Sequence, residues 1–448
     1  MSITVGIGML GCGTVGSTVA RILTEHQTDL ERRTGLRLEL RRVLVRDPRK
    51  RRSIVLPAEL LSTDASSLLE DPRIGIVVEL IGGVDQAKAL THSAIAAGKD
   101  VVTANKALLA LHGPEVFGAA RQAGRCIAFE AAVAGGVPLV EAVRRGLIAN
   151  RIDALVGILN GTCNFILSRM LDNNASYAHA LAEAKKLGYA EADPTLDVSG
   201  ADSAHKLVIL ASLAMRRACS LDGVSIAGIT DIELIDLSAG RELGFACKLL
   251  AIARGHGDAL ELRVQPTFVP LAHPLAAVSG PFNAVSVYGD AVGHTLFYGR
   301  GAGAYPTASA VVSDLIEVAV GNAARAFAMP RVLPDQTPPA SYRDPGQSAS
   351  PHYLRVGLPD RPGCIGKIAT CLGEAGVSIA AIVQHEPPSR RADGAVPVVV
   401  TTHPVSQAQM LKAISMMTGL NILVGRPVCI PVLDVDEAAH GEEGSDSE

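Results

Sequence analysis

ITVGIGMLGCGTVG, residues 3–16, decides how the chain begins to fold. Its first eight residues form a short run rich in β-branched side chains, the composition of a buried strand. The glycines of GCGTVG follow at Gly11, Gly13 and Gly16, and GSTVARILTEHQ then has helical spacing. A strand that turns through glycines into a helix lets backbone N–H groups approach a pyrophosphate at the helix N-terminus. The same glycines could serve a purely structural turn, and the motif alone is weak evidence. Its strand–turn–helix setting near the start of the chain favours dinucleotide binding.

Working outward, residues 1–135 alternate strands (LELRRVLVRD, IGIVVELIGG, DVVTAN) with helices (DQAKALTHSAIAAGK, GPEVFGAARQAG). That alternation with short loops predicts a doubly wound parallel sheet. From 136 to 304 the texture changes. A helix, PLVEAVRRGLIAN, leads to a strand, IDALVGILNG, and two helical stretches follow, near 175–187 and 200–216. Strand-like ELRVQPTFVPL and FNAVSVYGDAVGHTLFYG complete an α+β domain, to which only the family resemblance of the motifs quoted below gives substrate binding and dimerisation. VVSDLIEVAVGNAARAF is a strong helix returning to the first domain, which adds about 305–330 to it. Residues 331–350 are rich in Pro, Ser and Asp and read as a linker. Residues 351–433 read as a compact βαββαβ module. Asp434–Glu448 carries seven acidic residues without Lys or Arg and is expected to be disordered.

At 448 residues, two or three domains are expected. A net charge of −4 gives no field that would favour nucleic acid or a membrane surface. The 8 cysteines are scattered without a CxxC pair, which suits reduced thiols and argues against a disulfide framework or a thiolate zinc site. The N-terminus lacks a basic region followed by an apolar run, and no apolar stretch is long enough to span a bilayer. A cytoplasmic protein is the expectation.

Several residues carry candidate chemistry. After the second strand, VLVRDPRKRR puts Arg46 where a cation could bind a 2′-phosphate, with Lys50 nearby. A solvated basic loop is the alternative, and Asp47 leaves NAD(H) open beside the preferred NADP(H). VVTANKALLA places Lys106 just past a strand end, where it could touch cofactor and substrate or simply cap the following helix region. Glu130 opens the glycine-containing loop of FEAAVAGGVPLV, as a hard-cation ligand or a structural carboxylate. KKLGYAEADPTLDVSGADSAHKL concentrates Glu191, Asp193, Asp197 and Asp202 ahead of Lys206. Asp202 and Lys206 are about one helical turn apart, so they share a face. An exposed ion pair explains that spacing; so does a substrate anchor beside a proton donor.

GCGTVG, TANKALLA, FEAAVAGGVPLV, LNGTCNFIL, GYAEADPTLDVSGADSAHKLVILASLA, PLAHPLA and GRGAGAYPTASAVVSDL occur in the order and spacing of bacterial homoserine dehydrogenases. Together they span residues 1–330, and LRVGLPDRPGCIGKIATCLGEAGVSI resembles the ACT domain many of these enzymes append. The resemblance implies a Rossmann-like domain and NAD(P)H-dependent reduction of L-aspartate 4-semialdehyde to L-homoserine. It makes Lys206 the proton donor and gives Asp202, Glu191, Asp197 and Lys106 to the substrate. Gly11, Gly13, Thr14, Val15, Gly16, Thr103, Lys106, Gly188 and Gly303 match cofactor-site positions. Glu130 with the backbone of Val133, Gly135 and Val137 matches a sodium site. A homodimer or homotetramer and a threonine effector near Gly363 in the ACT domain are further implications. Departures are Cys163 and Cys12 within their motifs, and an insertion-like loop with Arg390, Arg391 and Asp393. A reductase of another small semialdehyde and a non-catalytic redox or amino-acid sensor are the competing readings.

Overall fold

The computed structural model describes residues 2–384 and 395–434. The loop with Arg390, Arg391 and Asp393, and the acidic tail beyond Asp434, lie outside the described residues. The chain divides into two units. One comprises Met1–Ile152, Ala204–Gly223 and Gly289–Ala340; the other comprises Asp153–Ser203, Val224–Tyr288 and the chain from Ser341.

In the first unit six strands form one sheet: β1 (Ile3–Leu10), β2 (Leu36–Leu44), β3 (Leu61–Ser62), β4 (Ile74–Glu79), β5 (Asp100–Thr103) and β6 (Ile127–Ala128). Their order is β3-β2-β1-β4-β5-β6, and every pairing is parallel. This is the doubly wound order whose reversal beside β1 opens a crevice at the strands' carboxyl ends. The β1 strand buries Ile7, Met9 and Leu10 because helices cover both faces of a parallel sheet. Helix Thr14–Glu25 turns Val19, Ala20 and Leu23 inward. Helix Ala304–Ala319, from the far end of the sequence, packs against it, burying Val311, Leu315 and Val318.

One helix begins earlier than the pattern predicts. Asn105 accepts a hydrogen bond from the Leu108 N–H at 3.0 Å, so the helix starts at Lys106 rather than Gly113 and runs to Gln122. Pro114 lies inside it, and His112 (φ −131°) marks the kink that a proline without an N–H imposes.

The second unit carries a mixed sheet in which Phe282–Gly289, Ile152–Ile158, Phe245–His256 and Ala259–Pro270 lie side by side. Val224–Ile226 and Ser341–Tyr342 run parallel to Ala259–Pro270 along its outer side. The expected linker is therefore only partly a tether: Ser341–Tyr342 extends this sheet and Ala349–Ser350 pairs with Val405–Ser406. Leu333 is buried in the first unit. Backbone pairing holds the two short strands and burial holds Leu333, and a composition of Pro and Ser advertises neither.

The C-terminal module has the expected order. His352–Pro359, Ile379–Gln384, Ala395–Thr402 and Val428–Pro431 make a four-stranded antiparallel sheet. Helices Cys364–Glu374 and Gln407–Gly419 bury Ile368, Leu372, Met410, Ala413 and Met417 against it. Gly363, at φ +87°, begins the first of these helices. A buried polar cluster ties this module to its neighbours within the unit. Arg355 grips Asp236 through two hydrogen bonds of 2.6 and 3.0 Å and reaches Glu233 at 3.0 Å. Tyr353 donates to the same Asp236 at 3.1 Å.

Candidate active site

The glycine turn after β1 has a separate physical reason for each glycine. Gly11 holds φ +97°, and a Cβ there would lie 2.8 Å from the Leu80 carbonyl oxygen. A Cβ on Gly16 would lie 2.6 Å from the Gly11 oxygen, so this position seats the helix on the turn. Gly13 faces open space, with nothing within 4 Å of an added Cβ, and precedes Thr14 and Val15 in the first helical turn. No side chain caps that helix, which leaves its first N–H groups for an anion. These residues fit a dinucleotide's pyrophosphate.

Arg46 and Lys50 are exposed in the loop after β2. Asp47 is engaged there: its Oδ1 accepts the Arg49 N–H at 2.8 Å, and its backbone oxygen accepts from Arg52 at 2.6 Å. Its carboxylate therefore folds the loop, and the cations are what the loop displays.

At the end of β5, Thr103 donates to Glu79 Oε2 at 2.7 Å and accepts the Asn105 N–H at 3.0 Å. Glu79 is 0% exposed and also receives the Ile81 N–H at 3.0 Å. Burial raises its pKa above the ordinary carboxylate range, although these hydrogen bonds oppose the shift. Glu79 thus fixes two neighbouring strand-end loops, and Lys106 sits half-buried at the start of the helix that follows.

Glu130 is buried. Its Oε1 accepts the Val140 N–H at 3.0 Å and its Oε2 accepts the Glu141 N–H at 2.8 Å, while its own N–H donates to Asp314 at 2.9 Å. Burial pushes Glu130 above its ordinary pKa, and burial together with the Glu130 charge raises Asp314 further. Two buried carboxyl groups in mutual repulsion suit a cation, as do the carbonyls of the adjoining Val133–Val137 loop, whose Gly135 is closely packed on Thr307. Among the described residues no cluster of three or more His, Cys, Asp and Glu side chains could hold a metal, so any cation here would rely on backbone oxygens.

In the second unit, Asn160 joins the acidic segment together. Its side-chain oxygen accepts the Cys163 N–H at 2.8 Å and starts helix Gly161–Asp172. Its amide nitrogen donates to Asp197 at 2.8 Å and to Asp202 at 2.9 Å. Asp193 stabilises the approach to this segment, accepting from the Thr195 N–H at 3.1 Å, and the Thr195 bonds lower its pKa. Glu191 is exposed in the preceding turn, next to the left-handed Gly188 (φ +77°). Gly303, at φ +119°, precedes helix Ala304–Ala319 in the first unit.

Asp202 and Lys206 stand one turn apart on helix Ala201–Ala214, 6% and 7% exposed. Neither is a solvated surface charge. Burying an ammonium is costly without partners, and an exposed ion pair no longer explains the spacing. Sequence reading missed Glu79 and Asn160. Asn160 stood within LNGTCNFIL as a helix-capping residue type, but its bonds reach 37 and 42 residues away. Glu79 had only its place at a strand end before a glycine pair.

The homoserine dehydrogenase NAD-binding domain matches residues 11–130, the homoserine dehydrogenase family matches 138–316, and an ACT domain matches 352–415. A Pseudomonas aeruginosa homoserine dehydrogenase is 42% identical over 96% of this chain and 98% of its own length. The Bacillus subtilis homoserine dehydrogenase is 40% identical over 93% of this chain and 95% of its own length. A crystal structure of a homoserine dehydrogenase from Thiobacillus denitrificans, 41% identical, superposes with a TM-score of 0.88 over 96% of this chain and 98% of that one. With its parallel dinucleotide sheet, mixed substrate-domain sheet and ACT module, this chain belongs to the homoserine dehydrogenase family of NAD(P)-dependent oxidoreductases acting on CH–OH groups.

Proposed function

We propose that Lys206 is the proton donor in reduction of L-aspartate 4-semialdehyde to L-homoserine, and that NADPH is the preferred reductant. The observation that carries this reading is the burial of Asp202 and Lys206 one helical turn apart, with Asn160 holding Asp202 and Asp197 in place. Bound nicotinamide supplies the hydride to the carbonyl carbon. Lys206 gives a proton to the carbonyl oxygen as negative charge develops there, and it recovers that proton from solvent between turnovers. Asp202 and Glu191 receive the substrate ammonium, and Asp197 and Lys106 orient the rest of the molecule. The reverse reaction uses Lys206 as the base.

Residues 1–135 with 305–330 bind the cofactor in this reading, and 136–304 bind substrate. The Gly11–Gly16 turn cradles the pyrophosphate, and Thr103, Gly188 and Gly303 line the remaining cofactor surface. Arg46 and Lys50 take the 2′-phosphate, because Asp47 is engaged within its own loop. Sodium binds Glu130 and the carbonyls of Val133, Gly135 and Val137, relieving the repulsion between Glu130 and Asp314. Threonine binds the ACT module at the Gly363 turn and inhibits a cytoplasmic dimer or tetramer. Exposed Ile382 on the edge strand Ile379–Gln384 and exposed Leu296 and Tyr298 on Gly293–Arg300 are surfaces a second copy would cover. Incubation of purified protein with aspartate semialdehyde and NADPH tests the reading: one homoserine forms per NADPH consumed. Consumption without homoserine would assign the chain another aldehyde.

A further inference from the structure

Lys248 lies on the strand Phe245–His256 and is 6% exposed, yet no step of the proposed reaction uses it. Its ammonium donates to Asn164 Oδ1 at 3.3 Å and to the Val278 carbonyl oxygen. Both acceptors are uncharged. Burial lowers its pKa to about 8, against the opposing pull of Cys247 and Asp172. Among the described residues these two are the ionisable groups that act on it, and its cross-strand neighbour Thr267 is neutral. Asp236, on the helix Leu234–Glu242 that also packs on this strand, acts on Cys247. A methionine would fill the same space without the cost of desolvating an ammonium. What the cation holds therefore bears on its purpose.

It holds the start of helix Gly161–Asp172. Asn164 Nδ2 donates to the carbonyl oxygens of Val278 and Gly280 at 3.2 and 2.9 Å, and the Asn164 backbone N–H donates to the Asn160 oxygen at 3.2 Å. The 278–282 loop packs on the same turn. A Cβ on Gly161 would lie 2.6 Å from the Pro281 oxygen, and the neighbouring Asn283 donates to the Leu159 oxygen at 3.1 Å. Asn160 sits among these contacts, one helical turn before Asn164, and its amide holds Asp197 and Asp202. A charged donor makes stronger hydrogen bonds than a neutral one, so an ammonium shared by Asn164 and the Val278 carbonyl stiffens this seat. We propose that Lys248 is a positioning residue for the substrate: by locking Asn164 to the 278–282 loop, its ammonium fixes how Asn160 presents Asp197 and Asp202.

This role rests on the reading that Asp197 and Asp202 hold the substrate. Steady-state oxidation of L-homoserine by the full chain at saturating cofactor tests both. At about pH 7, Lys248→Met raises the homoserine KM about tenfold, the loss expected of a hydrogen bond to a charged group, while kcat and the cofactor Kd change less. The ratio of variant to wild-type KM falls to about half or less by about pH 9, where the wild-type ammonium has lost its charge. The titration of homoserine and of Lys206 cancels in that ratio. Asn164→Ala raises KM comparably, and adding Lys248→Met to it changes KM by no more than about twofold, since the lysine acts through that side chain. Asn160→Ala raises KM in its own right. A wild-type KM in Asn160→Ala overturns the substrate-site reading. A raised KM there with a wild-type KM in Lys248→Met or Asn164→Ala overturns the role of Lys248 alone. So do additive effects of Lys248→Met and Asn164→Ala, or a KM ratio that does not change with pH, because either assigns Lys248 to packing. Where circular dichroism shows that Lys248→Met does not fold, Asn164→Ala decides, and a wild-type KM in it overturns the proposal.

Discussion

Single side chains carry most of the chemistry, and their environments distinguish readings that spacing leaves equal. Asp202 and Lys206 share a helix face by arithmetic, yet only burial removes the solvated ion pair from contention. Arg46 is the opposite case. It was legible only as a cation after the second strand, and what sequence could not give was the engagement of Asp47, whose carboxylate accepts the Arg49 N–H. Arg46→Ala is expected to raise the NADPH KM about tenfold, as loss of a charge-assisted phosphate contact should, and to leave the NADH KM unchanged. Steady-state kinetics with both cofactors checks this, and equal effects on the two would remove Arg46 from the 2′-phosphate. Asn160 was illegible as a clamp because its partners are contacts of the folded chain, whereas its capping role is local.

At the scale of elements, the glycine turn and the β1 strand were legible because each writes a local pattern, closely spaced glycines after a run rich in β-branched side chains. The early start of helix Lys106–Gln122 and the paired pieces of 331–350 were not, since a cap and an edge pairing override weak periodicity. The Glu130 loop joins elements that are distant in sequence, and its charges give a prediction. The folded pKa values of Glu130 and Asp314 lie above those of an unfolded carboxyl, about 4. Such groups contribute stability that is present below that unfolded value and lost as pH rises through the folded values. A cation that relieves their repulsion should therefore matter most when both are ionised. Replacing choline with sodium is expected to raise the Tm at about pH 8 and to have a smaller effect at about pH 5. Glu130→Gln should respond less at the higher pH. Thermal denaturation followed by circular dichroism reads all of these, and a response to sodium that is independent of pH would contradict the site.

At the scale of the molecule, the division into two units falls inside helix Ala201–Ala214, between Ser203 and Ala204. The helix runs unbroken through that division, which no boundary drawn from composition would reveal. The order of domains was legible because each has its own texture: alternating strands and helices, then long strands, then βαββαβ. The Arg355–Asp236 attachment was not, since nothing in either local sequence names the partner. Asp236 is 0% exposed, so Asp236→Ala leaves the Arg355 guanidinium buried without its bidentate partner and should cost about 3–5 kcal/mol in chemical denaturation. Asp236→Leu with Arg355→Met should recover most of that stability while weakening inhibition by millimolar threonine, if the ACT module acts through this attachment. Undiminished inhibition in a stable double variant would place the coupling elsewhere.

Lys206→Ala tests the central claim most directly, with kcat for the semialdehyde and the NADPH Kd measured on the same preparation. Loss of the general acid should lower kcat by about a hundredfold or more while the Kd stays within about twofold of wild type. A variant that turns over at the wild-type rate would contradict Lys206 as the proton donor.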